Sequence, residues 1–99
     1  WTAEYPSLAL LPMARLVEIA NAVDVGKITI PTLFIYSPQD RIIQPALAKA
    51  KADSWGGPVE TIEVTESDDP NNHVIAGKAL SPSTTDRLAA RAAEWIAAL

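Results

Sequence analysis

The segment from Ile28 to Tyr36 constrains the fold of this 99-residue chain more than any other. It is rich in β-branched and aromatic side chains, and Leu33-Phe34-Ile35-Tyr36 lacks the polar alternation of a half-exposed strand. A continuous apolar run of this kind is typical of a strand covered on both faces, as in parallel α/β sheets. Because Pro31 cannot donate a hydrogen bond to a central ladder, we place the strand at 32–36.

Helical and extended patterns alternate on both sides of this strand. The predicted elements are a helix at 8–25, the strand at 32–36, a helix at 45–55, a strand at 59–64, an irregular loop at 65–82 and a helix at 83–99. We expect Pro12 in the first turn of the first helix and Gly26 at its end. Two strands joined by a helix are expected to be parallel with a right-handed crossover. The sequence therefore predicts the α/β class, with one right-handed βαβ unit and flanking helices.

Side-chain patterns also predict how the last helix begins and what it buries. Ser83-Thr84-Thr85-Asp86 resembles a helix-capping signal. Trp55 and Trp95 are expected to anchor helices on the sheet. The predicted apolar face of the last helix consists of Leu88, Ala92, Trp95, Ile96 and Leu99.

Composition and charge exclude several classes of protein. A chain that is 48% apolar and 20% charged has the composition of a folded domain. Residues such as Arg15 and Glu18 interrupt the richest apolar stretch, so we expect no membrane span. Twelve acidic residues against eight scattered basic ones make nucleic acid an unexpected partner. The absence of cysteine excludes disulfides and thiolate sites, and a cytoplasmic location is only the default.

Two residues suited to proton transfer follow the two predicted strands. Asp40 ends the tight turn Ser37-Pro38-Gln39-Asp40, and His73, the single histidine, lies in the long loop. The carboxyl ends of parallel strands meet at one edge of a sheet, so the two side chains are expected to converge. A carboxylate that accepts the Nδ1–H of His73 leaves Nε2 free to take a proton from a nucleophile. Considered separately, a turn aspartate and a structural histidine explain the same residues.

Three acidic residues near the histidine form a second candidate site. Glu66, Asp68 and Asp69 could be assigned to a metal ion together with His73. Carboxylate oxygens suit calcium or magnesium, whereas histidine suits neither, and the sequence D-D-P-N-N lacks the spacing of an EF-hand. We therefore predict no metal and no other cofactor, and we interpret the segment as a solvated acidic loop.

Two stretches of the sequence resemble the C-terminal part of the α/β-hydrolases. P-T-L-F-I-Y-S-P-Q-D-R-I-I-Q-P, from Pro31 to Pro45, is similar to their seventh strand and acid turn. N-N-H-V-I-A-G-K-A-L-S-P-S-T-T, from Asn71 to Thr85, is similar to their histidine loop. The resemblance covers Ile28 to Leu99 and is nearest to the serine aminopeptidase, lysophospholipase and monoacylglycerol lipase-like branch. It implies Asp40 as the acid and His73 as the base of a Ser-His-Asp triad.

The chain departs from this family in two places. None of its four glycines flanks a serine as G-x-S-x-G requires, so no nucleophile is assigned among its residues. Asn72 stands where many relatives carry glycine, and asparagine tolerates a left-handed backbone. The chain also opens at Trp1 rather than methionine. We therefore interpret residues 1–99 as the C-terminal portion of an α/β-hydrolase domain that is inactive alone.

Two functions remain open. The resemblance implies part of a serine hydrolase that cleaves a small-molecule ester or amide, lipid esters included. The alternative is a non-catalytic module that forms a homodimer or binds a partner through an exposed strand edge or the apolar first helix. Leu10, Leu11 and Met13 of that helix would line an acyl pocket in the hydrolase, but packing on the core explains them equally well.

Overall fold

The computed structural model describes residues 4–99, which form a small mixed α/β domain. Its elements are a 3-10 turn at Ser7–Ala9, α1 at Leu10–Asn21, a 3-10 turn at Val25–Lys27, β1 at Thr32–Tyr36, α2 at Pro45–Asp53, β2 at Val59–Glu63 and α3 at Pro82–Ala97. The predicted α/β class and the order strand, helix, strand are confirmed. Within the described residues, every helix is too short or too polar to cross a membrane. Residues 1–7, for which the sequence predicts no regular element, lie partly outside the described residues.

The two strands pair in parallel, as predicted. Thr32 lies opposite Val59 and Tyr36 lies opposite Glu63, so the strands begin and end at the same level. A phenolic hydrogen bond of 2.9 Å from Tyr36 to the Glu63 carboxylate joins the last pair of the register. This alignment sends the loops that follow β1 and β2 out of the same edge of the sheet.

Helices lie against both faces of the sheet. Trp55, just after α2, meets Phe34 edge to face with ring centroids 5.2 Å apart. On α3, the Arg91 guanidinium lies 3.8 Å from the Glu60 carboxylate. Phe34 is opposite Thr61 in the register, and Thr61 and Glu60 point to opposite faces because side chains alternate along a strand. α2 and α3 therefore lie on opposite faces of the sheet. All of β1 is half-buried, whereas β2 is exposed except at Ile62.

The apolar core is small and shorter than α3. Its buried residues are Ala52, Val64 and Leu88. Trp95 is half-buried, but Ile96 and Leu99 are exposed, so the predicted apolar face is wrong at its end. The reason is length: 16 helical residues span about 24 Å, whereas the five residues of β2 span about 17 Å.

The first helix differs from its prediction in bounds and in packing. α1 ends at Asn21 instead of residue 25, because the Asp24 carboxylate accepts the Gly26 N–H at 3.1 Å and starts a 3-10 turn. Pro12 lies in the first turn as expected, whereas Gly26 does not end the helix. No residue of α1 is buried. The interpretation that core packing explains Leu10, Leu11 and Met13 is therefore wrong, since all three are exposed.

The start of α3 is stabilised by a residue that the sequence pattern did not indicate. The helix begins at Pro82, after Ser81, and the segment 83–86 does not cap it. Instead the Asp68 carboxylate accepts the Ser83 N–H at 2.8 Å. The predicted capping signal is wrong because the acceptor comes from the preceding loop, far from Ser83 in sequence.

Gly56 permits a close approach between two segments of the backbone. Its N–H donates to the Val25 carbonyl at 3.0 Å, and a Cβ at this position would lie 1.9 Å from the Gly26 carbonyl oxygen. That separation is far inside van der Waals contact, and the clashing atom belongs to the backbone. The turn after α2 therefore requires glycine for its packing.

We expect Gly56→Ala to lower the free energy of unfolding by about 1–3 kcal/mol, because the added methyl group forces the backbone apart. Urea denaturation followed by circular dichroism measures the change. Gly26→Ala is the matched control, since its Cβ would lie 3.1 Å from the movable Asp24 carboxylate and at an ordinary contact distance of 3.9 Å from the Ser54 carbonyl oxygen. Equal losses at the two positions would contradict the close-contact explanation.

Candidate functional site

The turn after β1 brings Asp40 to the carboxyl edge of the sheet. The Asp40 N–H donates to the Ser37 carbonyl at 3.3 Å, which closes the predicted tight turn. The Gln39 N–H donates to the buried Ser37 hydroxyl at 3.2 Å. These bonds fix the turn to the end of the strand.

The structure brings Asp40 and His73 together. The Asp40 Oδ2 atom lies 2.9 Å from Nδ1 of His73. The other carboxylate oxygen, Oδ1, accepts the Ile42 N–H at 2.7 Å and the Ile43 N–H at 3.0 Å. The Asp40 side chain is 5% exposed, whereas the imidazole is 41% exposed. A sheltered carboxylate therefore holds one side of a ring whose other side is open.

The charge of Asp40 determines which ring nitrogen carries the proton. Burial works to raise the pKa of Asp40, but hydrogen bonds from Ile43, His73 and Ile42 outweigh it, and the pKa lies below its ordinary value. An ionised carboxylate only accepts hydrogen bonds, so Nδ1 of His73 must be the donor. The neutral ring then presents an unprotonated Nε2, which is the form that a general base requires.

Asp69 organises the part of the long loop that carries His73, a role that the sequence pattern did not predict. Its buried carboxylate accepts backbone N–H groups from Asn71 at 3.1 Å, His73 at 3.0 Å and Val74 at 2.9 Å. The hydrogen bonds from Val74 and Asn71 outweigh burial and, with that from His73, hold the pKa of Asp69 below its ordinary value. The interpretation of this segment as a solvated acidic loop is therefore wrong for Asp69. An aspartate two residues before a turn asparagine is a signal for such a turn.

The residue before the histidine has the backbone conformation that its type allows. Asn72 has a φ of +50°, in the left-handed region, where asparagine can stand in for glycine. Its N–H donates to the Asp69 carbonyl at 2.9 Å, and its side-chain oxygen accepts the Ser67 hydroxyl at 3.0 Å. The turn therefore needs no glycine at this position.

Further contacts join the two loops to each other and to α3. The Arg41 N–H, next to the acid, donates to the Asn71 carbonyl at 2.9 Å. The buried Ser81 hydroxyl accepts the Asp69 N–H at 3.3 Å and donates to the Val74 carbonyl. The site is therefore held by bonds that cross between neighbouring loops.

The acidic residues of the long loop do not converge on the imidazole as metal ligands. The Asp68 carboxylate accepts the Ser83 N–H, and hydrogen bonds from Ser83 lower the pKa of Asp68. The Asp69 carboxylate accepts only N–H groups of its own loop. Between residues 4 and 99, no group of three or more histidine and acidic side chains is placed to hold a metal ion.

Fold and site together define a mixed α/β protein with a carboxylate–histidine pair at the carboxyl edge of a parallel sheet. Comparisons of the chain with protein-family models, with curated proteins and with solved structures find no match. The resemblance to α/β-hydrolases therefore depends on the two stretches of sequence that carry it.

We expect acid to destabilise the fold through these carboxylates. The pKa values of Asp40, Asp68 and Asp69 are lowered in the folded chain, against about 3.9 for an unfolded aspartate. Their contribution to stability is therefore present above about pH 4 and is lost as the pH falls through the lower folded values. Thermal unfolding between pH 7 and pH 2 measures the effect. Asp69→Asn should have a lower melting temperature than wild type at pH 7, and its melting temperature should fall less steeply as the pH is lowered. A pH profile parallel to that of wild type would contradict the assignment.

Proposed function

We propose that this chain supplies the acid and the base of a serine hydrolase of the α/β-hydrolase type, acting on ester or amide bonds. The observation that supports it is the 2.9 Å contact between Asp40 Oδ2 and His73 Nδ1 at the carboxyl edge of the sheet. The sequence resemblance adds the order acid, then base, along the chain. The substrate class is a small-molecule ester or amide, lipid esters included, as the sequence resemblance implies.

In each half of the proposed reaction His73 takes up a proton and then releases it. Nε2 takes the proton of a serine hydroxyl while the serine oxygen bonds to the substrate carbonyl carbon, and the carbonyl electron pair moves onto its oxygen. The imidazolium then gives that proton to the leaving alcohol or amine as the carbonyl re-forms. Water repeats both steps on the acyl-serine and releases the acid.

The role of Asp40 follows from its contacts. The Ile42 and Ile43 N–H groups fix Oδ1, so Oδ2 remains available to hold the ring in the Nδ1–H form. Its negative charge stabilises the imidazolium that forms when Nε2 takes a proton. Asp40 therefore needs to be ionised, and its lowered pKa provides this at neutral pH.

The 99 residues contain no G-x-S-x-G motif, so in this proposal the nucleophilic serine comes from another part of the hydrolase. We expect the 99-residue chain to hydrolyse p-nitrophenyl esters no faster than buffer. A spectrophotometric assay with purified chain tests this expectation. Turnover that His73→Ala abolishes would show that a nucleophile lies within the chain and would contradict this part of the proposal.

The triad assignment is tested in the complete product of the reading frame that encodes the chain. We expect Asp40→Asn to lower kcat for p-nitrophenyl butyrate by about 10⁴-fold, since an amide favours the wrong ring tautomer. His73→Ala should cause a larger loss, of about 10⁶-fold, because it removes the base itself. Asp68→Asn is the control, because its carboxylate bonds to α3 and not to the imidazole. An unchanged kcat in Asp40→Asn would refute the assignment.

A second candidate function, a module for protein association, is favoured by a different observation. The Thr32 N–H donates to the carbonyl of Pro58, the residue before β2. In a parallel ladder, every second residue of a strand bonds to the same neighbouring strand. The main-chain groups of Leu33 and Ile35 therefore face the other edge of β1, which has no partner strand within residues 4–99. Exposed strand edges and apolar helices of this kind promote association.

For this candidate we expect the chain to form homodimers, and light scattering should give twice the chain mass of 10.6 kDa. Leu16→Glu, on the exposed α1, should reduce association by placing a charge in the interface. Ile96→Glu on α3 is the matched control, since the two side chains are 67% and 63% exposed. A monomeric mass across the concentration range would contradict dimerisation.

A further inference from the structure

Asp69 is a buried acidic residue to which the proposed reaction gives no role. It is 9% exposed, and its carboxylate accepts three backbone N–H groups. The donors are Asn71, His73 and Val74, so all of them belong to the segment that carries the imidazole. A buried carboxylate satisfied in this way fixes the peptide groups around it.

The bonds fix both sides of the His73 backbone. One oxygen, Oδ2, accepts the N–H of His73 at 3.0 Å and the N–H of Val74 at 2.9 Å. These two N–H groups flank the Cα atom of His73, so its backbone torsions are restricted. Only the side-chain torsions of the ring remain to be set, and the contact with Asp40 sets them.

The same carboxylate is linked through Asn71 to the acid turn, the tight turn that ends at Asp40. Its Oδ1 atom accepts the Asn71 N–H at 3.1 Å, and the Asn71 carbonyl accepts the N–H of Arg41 at 2.9 Å. Arg41 directly follows Asp40 in the chain. One residue, Asn71, therefore bonds to Asp69 through its N–H and to the acid turn through its carbonyl.

We propose that Asp69 is a positioning residue, which holds the His73 backbone so that Nδ1 meets Asp40 and Nε2 stays open. It acts through His73 and contacts no reacting atom. Its catalytic consequence rests on the proposed hydrolase function. The geometric part concerns the imidazole alone and can be tested without a substrate.

The chain offers a matched control one residue away. Asp68 has the same side chain and also accepts a backbone N–H, that of Ser83 at 2.8 Å. Asp68→Asn and Asp69→Asn therefore remove the same charge from adjacent positions. Only Asp69→Asn disturbs bonds to the His73 segment, because an amide cannot accept hydrogen bonds at both ends.

The test is nuclear magnetic resonance of the ¹⁵N-labelled chain at a pH where the ring is neutral. Imidazole ¹H–¹⁵N correlations report which ring nitrogen carries the proton. We expect Nδ1–H in wild type and in Asp68→Asn, and a mixture of tautomers in Asp69→Asn. Asp40→Asn is the reference for a ring without its acceptor. A wild-type imidazole spectrum in folded Asp69→Asn would overturn the proposal.

The amide spectrum of each variant shows whether the fold is retained. If Asp69→Asn does not fold, Asp69→Glu replaces it, since glutamate keeps a charged acceptor but places it one methylene further along. We then expect a shifted Nδ1–H resonance in a folded chain. An unchanged resonance in Asp69→Glu would overturn the proposal.

Kinetics in the complete product separate the two proposals. We expect Asp69→Asn to lower kcat by about 10²-fold with KM unchanged, as a small displacement of a catalytic group does. A complete product without hydrolase activity refutes the proposed function, while the ring spectrum still tests the positioning. Full activity in Asp69→Asn refutes the positioning role and leaves the hydrolase intact.

Discussion

Parallel pairing of β1 with β2 carries the chain from both strands out of the same edge of the sheet. Because Tyr36 and Glu63 are level in the register, the following loops start side by side. Asp40 comes on a tight turn and His73 on a long loop, and the two still meet at 2.9 Å. In an antiparallel pair the same two loops would leave from opposite edges. The candidate site therefore depends on the direction of strand pairing before it depends on any side chain.

The long loop is ordered by polar side chains more than by apolar packing. The Asp69 carboxylate accepts backbone N–H groups of the turn that carries His73, and the Asp68 carboxylate accepts one from the first turn of α3. The Ser81 hydroxyl, at the end of the loop, bonds to the backbone of Asp69 and Val74. Each of these groups satisfies backbone atoms that would otherwise require water or regular secondary structure. A domain with few buried apolar residues can hold the Asp40–His73 geometry in this way, because the hydrogen bonds are local and directional.

The parts of the fold that sequence could predict are those set by local pattern and by topology. The bounds of β1, the βαβ order and the meeting of Asp40 with His73 follow from an apolar run and from the geometry of parallel strands. The N–H acceptor at the start of α3 could not be predicted, because Asp68 is close to Ser83 only in the folded chain. The apolar pattern of α1 predicts that the helix needs cover, but it does not say which surface supplies it.

The exposed apolar surface and the site have different physical origins. The Cα radius of gyration, 15.8 Å, exceeds the roughly 13 Å of a compact domain of this size, and α1 contributes apolar side chains that nothing within residues 4–99 buries. The hydrogen bonds of the site, in contrast, lie within the two loops and the start of α3. An association module explains the apolar surface but gives no reason for an ionised, sheltered Asp40 against a half-open imidazole. A hydrolase that supplies its serine and its cover from elsewhere explains both, which is why the site favours it.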